Sequence, residues 1–370
     1  MSRLIFKILT LASLLLGLPL LGLIIAGAPV EPYLAFPPEN GNVRHATFSW
    51  IAFILFTVCI AGMLIPFLGR ILKVFAQKQG RCKHRPYPWW GWLGVLMGLM
   101  FWLLAWTRFS WFKPFQLHTF TPLWLSFIVV MNGLSYRRSG RCLMLNRPLF
   151  FLSLFPASAA FWWFFEYLNR FVENWSYVQV PPDGWAYFWR ATVSFSTVLA
   201  AVLSAQEWIT EMEWVRRGFR DWFALELQRP RAWTYLVFAA ACLGLLSIGV
   251  WPNALFWLLW VSPLLILCSF QVALGEKTLF SGVAAGDWRV VVASAAGALF
   301  CGWFWEMWNY WSLAKWTYHV PFVQRFQVFE MPLLGYAGYL PFGLECAVIG
   351  DLLERVLREK GYHRSHSTEE

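Results

Sequence analysis

Residues 46–69 read ATFSWIAFILFTVCIAGMLIPFLG, and this stretch contains no charged side chain. A helix needs about 20 mostly apolar residues to cross the hydrocarbon core of a bilayer, so this stretch is long enough to span a membrane. The other stretches of this kind are residues 5–28, 89–107, 120–136, 149–168, 187–209, 232–250, 252–274, 289–309 and 331–350. The sequence therefore predicts an all-α fold, a polytopic transmembrane helix bundle of about ten spans.

The composition agrees with a chain whose surface faces lipid. Hydrophobic residues make up 59% of the 370 residues and charged residues 14%, whereas an ordinary soluble domain has about 25% charged residues. The spans and their short connections occupy residues 1–350 as a single transmembrane domain, which leaves no room for a separate globular domain. Residues 351–370 are polar and are predicted to form a cytoplasmic tail.

The distribution of basic residues predicts which side each loop faces. With the N-terminus inside, all but seven of the 30 Lys and Arg residues fall in cytoplasmic segments, as the positive-inside rule requires. This pattern predicts a bacterial inner (cytoplasmic) membrane protein with both termini in the cytoplasm. The net charge of +10 is explained in the same way, and no basic run belongs to a nucleic-acid module, so nucleic acid is excluded as a partner. The seven exceptions are Arg44, Arg108, Lys113, Arg170, Arg190, Lys315 and Arg325.

The first apolar segment has two interpretations. Arg3 and Lys7 precede a run that ends in Ala26-Gly27-Ala28, a pattern that is also typical of a signal peptide. The apolar core of a signal peptide is usually about 7–15 residues long, and this run is about 20. We therefore expect a retained transmembrane helix.

The sequence predicts neither a metal nor a cofactor. The 7 Cys residues are scattered, without a Cys-x-x-Cys pair. Paired histidine boxes, an Asp-rich motif, a His-Glu-x-x-His motif and a phosphate-binding Gly-Lys loop are all missing. These absences argue against an enzyme driven by a metal or a nucleotide.

An internal repeat carries the most specific signal. Residues 163–169 read WFFEYLN and residues 303–309 read WFWEMWN. Trp175-Ser176-Tyr177 then recurs as Trp316-Thr317-Tyr318, and Pro181 and Pro321 follow at similar distances. The approximate repeat units are 149–209 and 289–350. A weaker similarity links residues 80–82 and 140–142, which both read GRC. It suggests that the bundle is built from repeated helical hairpins.

The repeat places a carboxylate inside each of two spans. Glu and Asn at positions i and i+3 share one helix face, which pairs Glu166 with Asn169 and Glu306 with Asn309. A charged residue inside a span costs roughly 2.5–3.5 kcal/mol on insertion scales, so it is a functional candidate by default. Glu306 and Glu166 are the candidate catalytic residues, with Asn309 and Asn169 as their orienting partners. The alternative is that the same side chains only tie neighbouring helices and loop backbone together.

Aromatic residues that follow each Glu-x-x-Asn are the candidate pocket walls: Trp316, Tyr318, Trp175 and Tyr177. Trp and Tyr are also enriched at membrane interfaces, which explains them without a ligand. The last span contains three Gly and two Pro between residues 332 and 343. It is therefore either interrupted beside a binding site or packed very closely against a neighbour. His118, which enters the fourth span, is a weaker candidate ligand-binding residue.

The second repeat unit resembles the membrane domains of lycopene cyclases. The residues that carry the likeness are Trp316-Thr317-Tyr318-His319-Val320-Pro321, then Phe329-Glu330-Met331-Pro332, and Glu345. Those domains repeat a Trp-containing loop, a Pro and a helix-borne carboxylate, and they use carboxylates instead of a metal to start cyclisation with a proton. The resemblance implies a similar architecture and adds Glu330 to the candidate substrate-binding residues. This chain lacks the Pro-x-Glu-Glu signature of that family, since its Glu330 precedes the Pro.

These observations predict an outer-side intramembrane site for a hydrophobic, isoprenoid- or lipid-like molecule, with carboxylate acid–base chemistry as one interpretation. The predicted partner is a membrane lipid or an isoprenoid. The alternative is a non-enzymatic transporter or a membrane assembly component in which the same residues gate a path or hold the hairpins. The sequence leaves the oligomeric state open.

Overall fold

The computed structural model describes residues 2–39, 41–77, 85–181, 183–226, 228 and 230–366, and within these ranges it describes side chains from Phe6 to Arg358. The fold is all-α, as predicted, with two very small sheets. The helices that build the bundle are α1 (Ser2–Ile25), α2 (Trp50–Ala76), α3 (Trp89–Trp106), α4 (Phe120–Ser139), α5 (Pro148–Val172), α6 (Gly184–Phe195), α7 (Val198–Thr210), α8 (Pro230–Ser247), α9 (Leu258–Ala273), α10 (Arg289–Tyr310) and α11 (Tyr339–His366).

The connections contain short helices and strands. Strand β1 (Trp175–Tyr177) pairs with β2 (Trp316–Tyr318), and β3 (Gln327–Val328) pairs with β4 (Met331–Pro332), each pair antiparallel. Short α-helices span Glu31–Leu34, Leu143–Asn146, Glu213–Gly218 and Pro252–Leu255, and 3-10 helices span Ser110–His118, Val283–Ala285 and Leu333–Gly338.

Within the described residues, 8 helical segments are long and apolar enough to cross a membrane, or up to 9 if one bent pair is counted as a span. They are Phe6–Ile25, Trp50–Ala76, Trp89–Trp106, Pro148–Val172, Gly184–Thr210, Pro230–Ser247, Arg289–Tyr310 and Leu333–Arg358. The bent pair is Ser110–His118 with α4, and the angle between the two is 70°. This is the architecture of a multi-pass membrane protein.

The predicted spans 120–136 and 252–274 account for the difference from ten. The first lies within α4, which passes as a candidate span only together with the bent 3-10 helix before it. The second is divided, because the helix Pro252–Leu255 ends before α9 begins, and α9 alone has 16 residues. Both predicted segments are helical, but neither is a full-length apolar helix by itself.

The loops form two groups at opposite ends of the bundle. At one end, which we call the basic end, Arg70 Nε donates to Gly218 O at 2.7 Å and Arg138 Nε donates to Glu211 O at 3.1 Å. Lys7 pairs there with Glu276, and Arg147 pairs with Glu354. The beginning of α1 and the end part of α11 therefore lie at the same end.

The other end, which we call the aromatic end, carries β1 and β2. Contacts join the loop that precedes α2 to the loops that follow α5, α8 and α10. His319 N donates to Asn174 O at 2.9 Å, and Ser49 N donates to Phe322 O at 3.0 Å. Loops that the charge pattern places on one side of the membrane thus contact each other in the structure.

Small residues let the central helices approach closely. A Cβ at Gly343 on α11 would lie 2.1 Å from Ser294 O on α10, so only glycine fits there. The predicted last span, 331–350, begins with β4 and the 3-10 helix Leu333–Gly338, and regular α-helix starts only at Tyr339. Helix α11 then runs without a break past residue 350 to His366. The repeat at residues 80–82 and the end of the tail, 367–370, lie outside the described residues.

Candidate functional site

The two segments that the sequence predicts to be repeat units, 149–209 and 289–350, meet in a short ribbon at the aromatic end. Trp175 of β1 lies opposite Tyr318 of β2, and Tyr177 lies opposite Trp316. Each Trp of one unit therefore faces the Tyr of the other. The ribbon brings together the four aromatic residues that were predicted from the sequence to form the pocket walls.

Each strand is held by the Asn of its own unit. Asn169 Nδ2 donates to Trp175 O at 2.8 Å, and Trp175 N donates back to Asn169 Oδ1 at 3.3 Å. Asn309 makes the same two hydrogen bonds to the backbone of Trp316, at 2.8 and 2.9 Å. An Asn side chain that accepts and donates to one residue fixes the strand against the end of its helix. Both Asn residues therefore position backbone rather than a carboxylate.

Glu166 lies on α5 beneath β1 and is buried. Its Oε1 accepts hydrogen bonds from Tyr177 OH at 2.6 Å, from Trp162 Nε1 at 2.9 Å and from Trp175 Nε1 at 3.1 Å. Three donors therefore converge on one carboxylate oxygen. Two of them come from the three-residue strand that follows the helix, which explains why the repeat keeps Glu, Trp and Tyr together.

Glu306 occupies the matching place on α10 and is fully buried. Its Oε1 accepts from Tyr318 OH at 2.7 Å and from Tyr339 OH at 2.6 Å. Trp316 Nε1 donates to Tyr318 OH at 2.7 Å, and so reaches the carboxylate through the hydroxyl. Glu306 Oε2 is buried and has no hydrogen-bond partner among the described residues.

A cavity of about 870 Å³ lies next to this cluster, and we call it the main cavity. Trp162, Tyr177, Tyr318 and Tyr339 line it, whereas Glu166 and Glu306 do not. The two carboxylates lie behind the aromatic wall and are connected to the cavity through the Tyr hydroxyls. A molecule in the cavity would therefore meet the phenol groups first.

Helix α2 forms one side of the main cavity, along its length from Phe56 to Ile71. It is attached at both ends: Ser49 N bonds Phe322 O before the helix begins, and Arg70 bonds Gly218 O near its end. Between these points no residue of its apolar window is buried. Cys59, Met63 and Leu68 line the cavity and have exposed side chains. The cavity is therefore open to the surroundings of the bundle beside α2.

Polar groups in the wall of the main cavity lie at its aromatic end. Apart from the Tyr residues, they include Arg190 on α6, Lys315 before β2 and Asn174 before β1. Asn174 Oδ1 is buried without a hydrogen-bond partner among the described residues. At the basic end the wall is apolar, with residues such as Phe67, Ile71, Val291 and Val292. The site is thus amphipathic along its length.

Sequence reasoning missed several of these groups. Tyr339 was not identified because it belongs to the span after the repeat motif, and only the fold brings it to Glu306. Arg190 was counted as an outer-side charge without a role. Arg190 lies inside the apolar span that follows Trp175-Ser176-Tyr177 in the sequence. A charged residue in such a span is a functional candidate, and this was the signal that could have identified it.

The remaining predicted site residues lie outside the main cavity. His118 ends the 3-10 helix Ser110–His118 and is exposed, although its neighbours Leu117 and Phe120 line the cavity. Glu330 lies between β3 and β4 and forms an ion pair with Lys315. Glu330 therefore contacts a lysine that lines the cavity without lining it itself.

A histidine pair lies on the ribbon at the aromatic end. The rings of His45 and His319 are 5.8 Å apart, and His319 Nε2 lies 3.3 Å from Ser176 Oγ. Partial burial and the charge of His45 lower the pKa of His319 below its ordinary value, while Glu173 opposes this effect. Glu173 is buried and accepts hydrogen bonds from the backbone N–H groups of Gly41 and Asn42.

A small cavity of about 30 Å³ lies behind β1, where Glu39, Glu166 and Glu173 surround Arg170. This space suits one water molecule. Within the described part of the chain, no group of three or more His, Cys, Asp or Glu residues is arranged to hold a metal ion.

Comparison of the chain with protein-family models, with curated proteins and with solved structures finds no match.

Proposed function

We propose that this protein binds a hydrophobic, isoprenoid- or lipid-like molecule in the main cavity. The observation that carries the proposal is the cavity itself: about 870 Å³, with mostly apolar walls, and open beside a membrane-spanning helix that is attached only near its ends. Small-molecule sites usually measure about 300–1,000 Å³ and have few polar groups among apolar ones. A lipid-soluble molecule can enter such a site sideways from the bilayer.

The length of the site favours a ligand with a long chain. Helix α2 lines the cavity from Phe56 to Ile71, which is roughly 22 Å of α-helix at about 1.5 Å per residue. The hydrocarbon core of a bilayer is about 30 Å thick. A ligand that follows α2 therefore runs along the membrane normal, as the surrounding lipid chains do, and loses little orientational freedom on binding.

A second candidate function is acid–base chemistry on the bound molecule. The observation in its favour is that Tyr339 and Tyr318 line the cavity and donate to Glu306, while Tyr177 lines it and donates to Glu166. When the carboxyl group is protonated and donates to the Tyr oxygen, the phenol can pass its own proton to the ligand and take the carboxyl proton in its place, which leaves a carboxylate and a protonated ligand. In this scheme Glu306 and Glu166 keep the catalytic role expected from the sequence, acting through the phenols.

Simple binding is favoured over transport across the membrane by the position of the polar groups. A transporter for a polar cargo needs a polar path through the whole bilayer, whereas the polar groups of this cavity lie at its aromatic end. The proposed site is therefore one-sided, on the side away from the basic end.

We also propose ten membrane crossings, with the basic end and both termini in the cytoplasm of a bacterial-type cell. Helix α3 ends near the aromatic end, where Trp106 Nε1 donates to Trp308 O, and α5 begins at the basic end, where Arg147 pairs with Glu354. The chain must cross between them, and α4 is the segment that does so. The same reasoning applies to α9 between α8 and α10. The matching Asn and Glu contacts support two related units, 149–209 and 289–350.

The experiment that tests the binding proposal fills the cavity. Ala295 on α10 lines it, so Ala295→Phe places a ring in space that the ligand would occupy. Gly62→Phe is the matched control, because Gly62 lies on α2, does not line the cavity and has nothing within 4 Å of its Cβ position. Lipids that copurify with each variant are identified and counted by mass spectrometry.

We expect one lipid-like species at a nearly constant ratio to protein in the wild type and in Gly62→Phe, and its loss in Ala295→Phe. The melting temperature of Ala295→Phe should stay close to that of the wild type, since the ring enters existing space. Equal lipid content in all three proteins would contradict the proposal.

A further inference from the structure

We infer that the ligand of the main cavity carries an anionic headgroup, and that Arg190 binds this headgroup at the aromatic end. The inference rests on the proposed binding function and adds the chemical class of the ligand. It is carried by Arg190, a charged side chain in the mostly apolar wall of the cavity that has no ion-pair partner among the described residues.

Arg190 lies on α6, inside the candidate span Gly184–Thr210, and its side chain lines the main cavity. A guanidinium group has five N–H donors in a fixed planar arrangement. Among the described residues its side chain makes one hydrogen bond, from a terminal nitrogen to Gln179 O at 2.6 Å, and it forms no ion pair. Most of its donors therefore remain for a ligand.

A charge without a counter-charge is costly in a membrane span, and such a residue usually faces a partner or a functional site. Guanidinium groups match phosphate and carboxylate oxygens in geometry, and a charge-assisted pair of this kind is among the stronger hydrogen bonds in proteins. An anionic headgroup in the cavity supplies both the missing counter-charge and the missing acceptors.

Lys315 provides a second cation on the same wall. Val178 N donates to Lys315 O at 2.7 Å, so Lys315 lies across the ribbon from Val178. The next residue, Gln179, is the one whose carbonyl accepts the hydrogen bond from Arg190. Because Lys315 is paired with Glu330, its charge is balanced by the protein. Arg190 thus supplies the net positive charge of the cavity wall at the aromatic end. We expect Lys315 to contribute only weakly to binding the headgroup.

The rest of the cavity fixes the direction of the ligand. From the aromatic end, the wall continues along α2 through Met63 and Leu64 to Ile71 without another charged residue. The headgroup therefore lies at Arg190 and the apolar chain points toward the basic end. This orientation is that of a lipid in the leaflet on the aromatic side.

The inference is tested on the purified full-length chain in lipid nanodiscs, with two probes: a long-chain isoprenyl monophosphate and the matching uncharged isoprenyl alcohol. Binding is measured for the wild type, for Arg190→Gln and for the control Arg44→Gln. Arg44 is an exposed aromatic-end arginine that does not line the cavity. Inorganic phosphate is added separately as a competitor.

We expect the wild type to bind the phosphate probe about tenfold more tightly than the alcohol, since one charge-assisted contact distinguishes them. Arg190→Gln should remove this preference while binding the alcohol as the wild type does, and Arg44→Gln should keep it. Equal affinity of the wild type for both probes would overturn the inference and leave the binding proposal intact. Failure of both probes to bind would contradict the binding proposal itself. Displacement of the probe by equimolar inorganic phosphate would assign Arg190 to a soluble anion and overturn the lipid assignment.

Discussion

Tyr339 donates its hydroxyl hydrogen to Glu306 Oε1 at 2.6 Å, although the two residues are 33 positions apart. Glu306 is fully buried and Tyr339 lines the main cavity, so this contact connects the wall of the cavity with a carboxylate inside the bundle. The same hydroxyl-to-carboxylate arrangement joins Tyr177 and Glu166 in the other unit at 2.6 Å. Each of the two carboxylates is therefore linked to the cavity wall by a phenol–carboxyl pair.

The first prediction separates a working Glu306 from a supporting one. Glu306→Gln keeps the size and an acceptor but removes proton exchange, so it should abolish any acid–base activity on the bound lipid and leave the melting temperature almost unchanged. Glu306→Ala should also lower stability, by about 1–3 kcal/mol, because the hydroxyls of Tyr318 and Tyr339 lose their acceptor. Lipid extracts of the producing strain and thermal melts give the two readouts. Full lipid conversion by the Gln variant would exclude proton transfer through Glu306.

The second prediction concerns the two Asn residues that hold the ribbon. Asn169→Ala and Asn309→Ala each remove a buried side chain that donates to and accepts from the strand backbone, so each should cost about 2 kcal/mol of unfolding free energy. Asn42→Ala is the control, since its side chain is exposed and, within the part of the chain that the structure describes, bonds only Glu39 O, three residues away. Chemical denaturation in detergent measures the three variants. A large loss at one repeat Asn and none at the other would show that the two units are not equivalent.

The third prediction concerns topology. Reporter fusions after Gly140 and Arg216, at the basic end, should report the cytoplasm. Fusions near Asp183 and Arg325, at the aromatic end, should report the opposite side. The charge distribution and the two groups of loop contacts motivate this expectation. A cytoplasmic signal at Asp183 would place the aromatic end, with the proposed site, on the cytoplasmic side and would contradict the predicted topology.

The fourth prediction concerns pH and His319. Burial and His45 lower the pKa of His319, so the folded protein binds this proton less readily than the unfolded chain does. The contribution to stability is therefore complete above the unfolded-state pKa of about 6.5 and is lost as the pH falls through the lower folded-state pKa. Melting temperatures at pH 8 and pH 5 should differ less in His319→Gln than in the wild type. The exposed His118, changed to Gln, should keep the wild-type difference; an unaltered difference in His319→Gln would contradict the assignment.

The apolar spans were predictable from the sequence because lipid imposes a long, nearly uncharged run on each helix. Residues 46–69, for example, correspond to α2, Trp50–Ala76. The helix starts later because Ser49 caps it, with its side chain accepting from Ala52 N, and it continues past Arg70 because that side chain reaches Gly218 O. For the last span, three Gly and two Pro left interruption and close packing both open; the structure has a 3-10 helix before Tyr339 and close packing at Gly343.

The site could be predicted only in part. Glu-x-x-Asn and Trp-x-Tyr were recognisable because each set lies within a few residues of chain, where helix periodicity and strand alternation determine proximity. The pairing of Trp175 with Tyr318, the contact of Tyr339 with Glu306 and the cavity beside α2 depend on long-range packing. One sequence offers no local signal for such contacts. For the same reason the sequence could not show that the carboxylates lie behind the phenols and outside the cavity wall.

The central claim is that a lipid-like molecule occupies the space beside α2, and an electron cryo-microscopy map of the chain in lipid nanodiscs tests it most directly. The account predicts continuous elongated density in the main cavity, with its thicker end beside Arg190 and its thin end near Ile71, and α2 in contact with it along Cys59 and Met63. A map in which α2 packs directly against Ala295 and Val292, with no space between the helices, would contradict the account.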